Sequence, residues 1–450
     1  MFSSSSASLM TEGPVWKKII FFALPLFFSN LFQQLYNTAD SLIVGNFLGS
    51  NALAAVSSSG NLIFLMIGFF NGLSIGAGVV VSRYYGARQL ENVHKAIHST
   101  LALGILSGLL LNLVGVILTP QILIWMGTPK EVLPSSTLYF RIYFMGSLGF
   151  VLYNNCVSIF QAVGDSRHPL IYLIISSLTN IALDLLFIAV LGFGVGGAAL
   201  ATVISQFLSC FLCLNKLSKS PQEYRVSFRD IRFDKPVLRL IISNGLPAGC
   251  QNSIISFANV IVQSNINSFG KMAMAGCGSY SKIEGFAFLP ITCFTMALTT
   301  FISQNIGAGK YDRVKKGAYF AILCSALLAE FVGICIYLLA PVLITLFNSE
   351  PEVVACGVTQ ARTVSLFYFL LAFSHCIAGI MRGAGRSTVP MIVMMICWCI
   401  IRVTYITVIV RIVPVINCIF WAYPLTWGLS SIVFLIYFLK VDWMHGREFH

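Results

Sequence analysis

Seven ionisable side chains, Asp40, Asp184, Lys282, Glu284, Glu330, His375 and Arg402, stand inside otherwise apolar runs. In a bilayer core each costs at least about 2.5–3.5 kcal/mol, so each needs a partner or a chemical use. Asp40 ends a polar stripe, Gln33, Gln34, Asn37 and Asp40, in which positions 33, 37 and 40 share one helical face. Asn180 lies four residues before Asp184, again on one face. Two carboxylates and an amide oxygen form a hard-oxygen set. It suits Na+, or it shares a proton, because two close carboxylates do not both ionise cheaply. The acids could simply hydrogen-bond helices together, but Asn or Ser would do that at lower cost. Lys282 and Glu284 are two apart and fall on different helix faces. One could line a central cavity while the other pairs with a neighbouring helix; Arg402 joins them as a candidate. Glu330 and His375 read more simply as polar residues satisfied between packed helices.

The surrounding chain must be a membrane protein. Of 450 residues, 57% are hydrophobic and 10% charged, and mean hydropathy is +0.85; soluble domains carry about 25% charged residues. The apolar runs are long rather than short and alternating, which selects helices over a barrel. Twelve spans are expected, at 19–45, 52–82, 96–118, 134–160, 169–191, 195–215, 240–266, 273–304, 317–341, 357–381, 388–411 and 416–439.

The chain also contains itself twice. Gly86-Ala-Arg88 recurs as Gly307-Ala-Gly309, Gln161-Ala-Val-Gly164 as Arg382-Gly-Ala-Gly385, Leu118-Thr-Pro120 as Leu339-Ala-Pro341, and Pro169 as Pro390. The offset is constant: 307 − 86, 385 − 164 and 390 − 169 all give 221. Six spans per copy put both copies in one orientation, as parallel repeats. The repeat discriminates among the acids. The mate of Asp184 is Tyr405, that of Asn180 is Ile401, and Asp40 falls opposite Ile261 and Val262. The acidic pair belongs to one copy, as a functional graft would and a shared packing requirement would not.

With a cytoplasmic N-terminus, 21 of the 28 Lys and Arg lie in inner segments, so a multi-pass protein of the cell membrane with both termini cytoplasmic is expected. The net charge of +12 then faces anionic lipid, and nucleic acid need not be invoked. The expected divisions are a disordered tail (1–15), an N-lobe (16–215), a basic cytoplasmic linker (216–235), a C-lobe (236–440) and a C-terminal tail (441–450). The thirteen cysteines are scattered through apolar runs and read as small packing residues. Gly192-Phe-Gly-Val-Gly-Gly197 follows no strand and reads as a hairpin, not a phosphate loop. With no P-loop, Ser/His/Asp set or HExxH, an enzyme is not expected.

Ala23-Leu-Pro25, Gln33-Gln-Leu-Tyr-Asn37-Thr-Ala-Asp40, Gly45, Gly49, Arg83-Tyr-Tyr-Gly86-Ala-Arg88, Gln161-Ala-Val-Gly164-Asp165 and Gly307-Ala-Gly309 together resemble the multidrug and toxic compound extrusion (MATE) family over about residues 15–440. The resemblance implies an all-α polytopic protein, with two six-helix bundles around a central cavity. It implies export of drugs or organic, often cationic, metabolites in exchange for Na+ or H+. It places the coupling site at Asp40, Asn180 and Asp184, with Thr202 as a fourth member. Gln33, Gln34, Asn37, Lys282, Glu284 and Arg402 are the candidate cavity residues. Some branches carry acids in the seventh and tenth spans; 240–266 and 357–381 contain none. A monomer with a small amphiphilic substrate, lipid neighbours and no cofactor beyond the coupling ion is expected. The alternatives are a flippase for lipid-linked saccharide precursors, which needs a basic cavity, and a passive channel or non-transporting membrane scaffold.

Overall fold

A computed structural model describes residues 9–49, 52, 60–125, 128 and 130–445. Its helices follow the apolar runs. They are α1 (Val15–Leu48), α2 (Gly60–Gly86), α3 (Leu90–Trp125), α4 (Leu133–Met145 and Ser147–Ala162), α5 (Arg167–Val190) and α6 (Gly194–Ser218). The second copy gives α7 (Lys235–Asn267), α8 (Lys271–Gly307), α9 (Tyr311–Thr345), α10 (Pro351–Gly383), α11 (Thr388–Ile412) and α12 (Asn417–Lys440). Among the described residues nine of these are long and apolar enough to cross a membrane, and α4, bent by 49° at Gly146, makes a tenth. With α2 and α7 the helical rods number twelve.

Turn geometry preserves the repeat. Gly49 and Gly270 have φ of 82° and 95°, and Gly164 and Gly385 have 86° and 78°. Arg88 (φ 57°) is the mate of Gly309 (φ 67°), so one copy places a side chain in the left-handed region that the other gives to glycine. Such residues cost about 1–3 kcal/mol. Arg88→Gly is therefore expected to keep or raise the unfolding temperature in detergent, whereas Gly309→Val lowers it; equal losses from both would contradict the argument. Packing repeats with its polarity exchanged. Gly78 on α2 lies against Ser158 on α4, where a Cβ would come within 2.3 Å of the hydroxyl. The mates are Thr299 on α8 and Gly379 on α10, and here Thr299 donates to the Gly379 carbonyl at 3.1 Å. Each copy keeps one small and one hydroxylated residue at the crossing.

Two units divide the chain, but not at the expected lobe boundaries of 16–215 and 236–440. One comprises Leu24–Leu246; the other takes Met10–Ala23 together with Pro247 onward. The divisions fall inside α1 and α7, at or next to Pro25 and Pro247, where a missing N–H interrupts the helix ladder.

The docking of the segments ahead of these helices explains why. Residues 10–13, expected in a disordered tail, are held by the α8–α9 corner. Met10 N donates to Gln304 Oε1 (2.8 Å), Lys310 Nζ to the Thr11 carbonyl (2.9 Å), and Arg313 to the carbonyls of Met10 (3.0 Å) and Gly13 (2.7 Å). The 216–235 linker is likewise clamped onto α3. His94 Nε2 meets the Gln222 carbonyl at 2.6 Å, Ser227 N–H donates to His98 Nε2 at 3.0 Å, and Asp234 N–H to Ser99 Oγ at 3.0 Å. Tyr224 is buried against Tyr85. Nor is the C-terminal tail free at its start: Trp443 is buried on Phe438, and Arg386 donates to the Asp442 carbonyl at 2.8 Å. The mate of Arg386 is Asp165, which does something different. It accepts the N–H groups of Arg167 and His168 at the start of α5, and His168 Nδ1. Burial would raise the Asp165 carboxyl; the His168 hydrogen bond and charge, with the two N–H groups, outweigh it and hold the group below the ordinary carboxylate range.

Candidate functional site

Four helices of the first unit bring the predicted acids together. Asp40 comes from α1, Asn180 and Asp184 from α5, Thr202 from α6, and aromatic residues from α4 close the group. Asn180 and Asp184 are 0% exposed and Asp40 is 9% exposed. The carboxyls of Asp40 and Asp184 lie within hydrogen-bonding reach of each other. With its amide oriented to suit its neighbours, Asn180 donates to Asp184 Oδ2 at 2.9 Å and accepts from the Thr202 backbone N–H at 3.2 Å. Thr202 donates in turn to the Ala198 carbonyl at 3.1 Å. A π-helical stretch, Leu185–Val190, begins directly after Asp184. Such stretches widen the turn and recur at functional sites.

Two features of this group carry its chemistry. As carboxylates both acids are acceptors only, and Oδ1 of each is buried without a hydrogen-bond donor. One proton shared between them, or one cation placed on them, relieves both. The second feature is a ring of residues that sequence reasoning missed. Tyr36 stands beside Thr202 and Asp40, Tyr143 beside Gln206, whose Oε1 is buried without a partner, and Tyr139 stacks on Tyr143 at 6.2 Å. Tyr36 is four residues before Asp40 and Gln206 four after Thr202, so helical spacing could have found both. Gln33 and Asn37 are exposed and Gln34 is half-buried; none bonds this group through its side chain.

The second unit holds a different cluster. Arg402 is 4% exposed, lies between the rings of Tyr423 (4.6 Å) and Trp398 (5.4 Å), and donates twice to Thr426 Oγ1 (3.0 and 2.8 Å). Glu284 lies in its field without a direct ion pair. It accepts instead from Tyr280 (3.3 Å), whose hydroxyl meets that of Tyr368 at 2.7 Å. Here too a π-helical stretch, Met395–Ile401, abuts the buried charge. Lys282, named with these two as a candidate cavity residue, makes no contact with them. It is exposed, with its ammonium 5.5 Å from the Phe347 ring, because the two-residue spacing turns it to another face. Glu330 accepts the Phe369 N–H at 3.3 Å, and His375 packs on Trp398 and Phe288. Among the described residues no three His, Cys, Asp or Glu side chains converge as a metal cluster.

The MatE family profile matches residues 25–186 and 247–408, most of each copy. The chain belongs to the MATE family. The two MATE matches lie 222 residues apart at both ends (247 − 25 and 408 − 186), within one residue of the offset of the turns. A probable multidrug resistance protein of Bacillus subtilis, YoeA, is 30% identical over 390 residues, covering 85% of this chain and 84% of its own. The probable multidrug resistance protein NorM of Thermotoga maritima is 26% identical over 386 residues, covering 84% and 82%. An outward-facing multidrug resistance MATE family transporter superposes with a TM-score of 0.91 at 23% identity, covering 99% of this chain and all of the other. MATE proteins are membrane transporters and not enzymes, and this chain shares their fold.

Proposed function

We propose that this protein is a secondary active antiporter of the cell membrane. It exports small amphiphilic, often cationic organic compounds in exchange for H+ or Na+, acting as a monomer with both termini and the 216–235 linker cytoplasmic. The reading rests chiefly on one observation, the buried facing pair Asp40 and Asp184. A dry pair of carboxyls takes up one cation readily and resists holding none. The hydrogen-bonding contact between the two favours a proton as that cation; Na+ would need them to part and to recruit Asn180 and Thr202 oxygens. Cation occupancy drives export only if it binds the two access states unequally, which a site built from three helices of one unit can do by changing how they pack.

The test uses reconstituted vesicles given a pH gradient and a Na+ gradient separately, with a panel of cationic dyes. The proposal predicts dye movement against its gradient driven by one of the two. Movement indifferent to both gradients would contradict it. A flippase needs Lys282 and Arg402 in one basic cavity, and these cations are not together, so the same vesicles are expected to flip no lipid-linked saccharide.

A further inference from the structure

We propose that a groove on the second unit binds the phosphate of a membrane glycerophospholipid, with Arg362 as the residue that holds it. The groove has a volume of about 450 Å³ and lies where α9, α10 and α12 meet. Tyr337 comes from α9, Thr359, Arg362, Thr363 and Phe367 from α10, and Trp421 from α12. A 3-10 turn at Ser365–Phe367 breaks α10 at this point.

Arg362 is the residue that demands an occupant. It is exposed, yet it lies within a helix that qualifies as a membrane span. Among the described residues no carboxylate pairs with it; its guanidinium instead lies 5.6 Å from the Tyr337 ring. A bare cation inside a span costs at least about 2.5–3.5 kcal/mol. The protein offers no anion here, so the bilayer must.

Depth says which anion. The end of α9 and the starts of α10 and α12 fall at the same end of their bundle, because consecutive spans alternate in direction. At 1.5 Å per residue, α10 is about 50 Å long and overreaches a hydrocarbon core of about 30 Å by about 10 Å at each end. Arg362, eleven residues in, then lies only about 6 Å inside the core boundary, within reach of a phosphate by snorkelling. Tyr337 and Trp421 sit about two turns and one turn from their own helix ends, the level at which Trp and Tyr mark the membrane interface. Phe367, five residues deeper than Arg362 on α10, packs edge to face on Trp421 at 5.8 Å and gives an apolar wall below the cation. A phosphate on the guanidinium, with acyl chains along this wall, matches both the charge and the order of the surfaces. The guanidinium fork takes two phosphate oxygens at once, which an ammonium does not.

The test is lipid retention by the purified, delipidated protein in detergent, read by native mass spectrometry. Phosphatidylglycerol, phosphatidylethanolamine, diacylglycerol and free glycerol phosphate are titrated separately. Both phospholipids are expected to bind with one saturable site; diacylglycerol and glycerol phosphate are not. Arg362→Gln weakens the phospholipids roughly tenfold, the scale of a lost charged hydrogen bond. Arg362→Lys recovers part of the loss, and Trp421→Ala weakens binding with the phosphate contact intact. Unchanged affinity in Arg362→Gln, or equal binding of diacylglycerol, would overturn the proposal. Glycerol phosphate binding as tightly as the lipids would replace it with a soluble-anion site. Should Arg362→Gln not fold, the diacylglycerol comparison on the natural chain still decides.

Discussion

Asp184→Asn is expected to abolish ion-driven export while the protein still accumulates in folded form, and Asp40→Asn to do the same. The substitution changes almost no volume. The amide introduced at position 184 could still meet Asn180, so the α5–α6 contact through Thr202 is kept. What is lost is the second negative charge. A carboxyl beside an amide has no proton to share and no second charge to neutralise, so occupancy by H+ or Na+ no longer distinguishes one packing of the unit from another. Gradient-driven transport should fall by roughly 10²-fold, equivalent to about 2.7 kcal/mol of coupling. Stability should hold or rise, since a buried pair of acceptors with two orphaned oxygens is relieved. Two measurements separate coupling from damage. Uptake is measured with and without each ion gradient, and dye exchange is measured at equilibrium with no gradient. Loss of the first with survival of the second is the expected pattern. Both mutants pumping at the natural rate would show that the acids are structural.

The acids were legible in the sequence because the bilayer filters so severely. A chain that keeps Asp40 and Asp184 inside apolar runs, and keeps them in one repeat only, has marked them. Thr202 was reached by resemblance, and the structure places its backbone N–H on Asn180. The aromatic and amide residues around the acids were not legible. Tyr36, Tyr139 and Gln206 are ordinary occupants of membrane helices, and only knowing which faces meet singles them out. The unit boundaries were hidden for a different reason. A Ser-rich start and a basic linker look solvated, and their docking partners are remote: Arg313 lies 303 residues from Met10, and Ser99 lies 135 from Asp234. That Lys282 and Glu284 present different faces was legible from their two-residue spacing; which of the two would be the more buried was not, and it is Glu284 that turns toward Tyr280.

Gly76→Val is expected to remove the folded protein altogether, and Gly245→Val nearly so. At this crossing of α2 and α7 the backbones touch. A Cβ on Gly76 would lie 2.2 Å from the Gly245 nitrogen and 2.3 Å from its Cα; a Cβ on Gly245 would lie 2.8 Å from the Leu73 Cα. No rotamer relieves a clash with backbone, so the helices would have to separate along the contact. Gly68, Gly72 and Gly76 recur every four residues on α2, the spacing that lets membrane helices approach this closely. The cost should exceed about 4 kcal/mol, a size reserved for disrupted cores. Gly278→Ala on α8 is the matched comparison. It is also a glycine inside a long helix, but nothing lies within 4 Å of its added Cβ, so the change should be neutral or stabilise by up to about 1 kcal/mol. Yield of monodisperse protein in detergent and its unfolding temperature distinguish the two. Equal tolerance of all three substitutions would mean that α2 and α7 do not meet as described. Gly245 stands one residue before Leu246, the last of α7 to belong to the first unit. A backbone contact without side chains between leaves α7 no slack there.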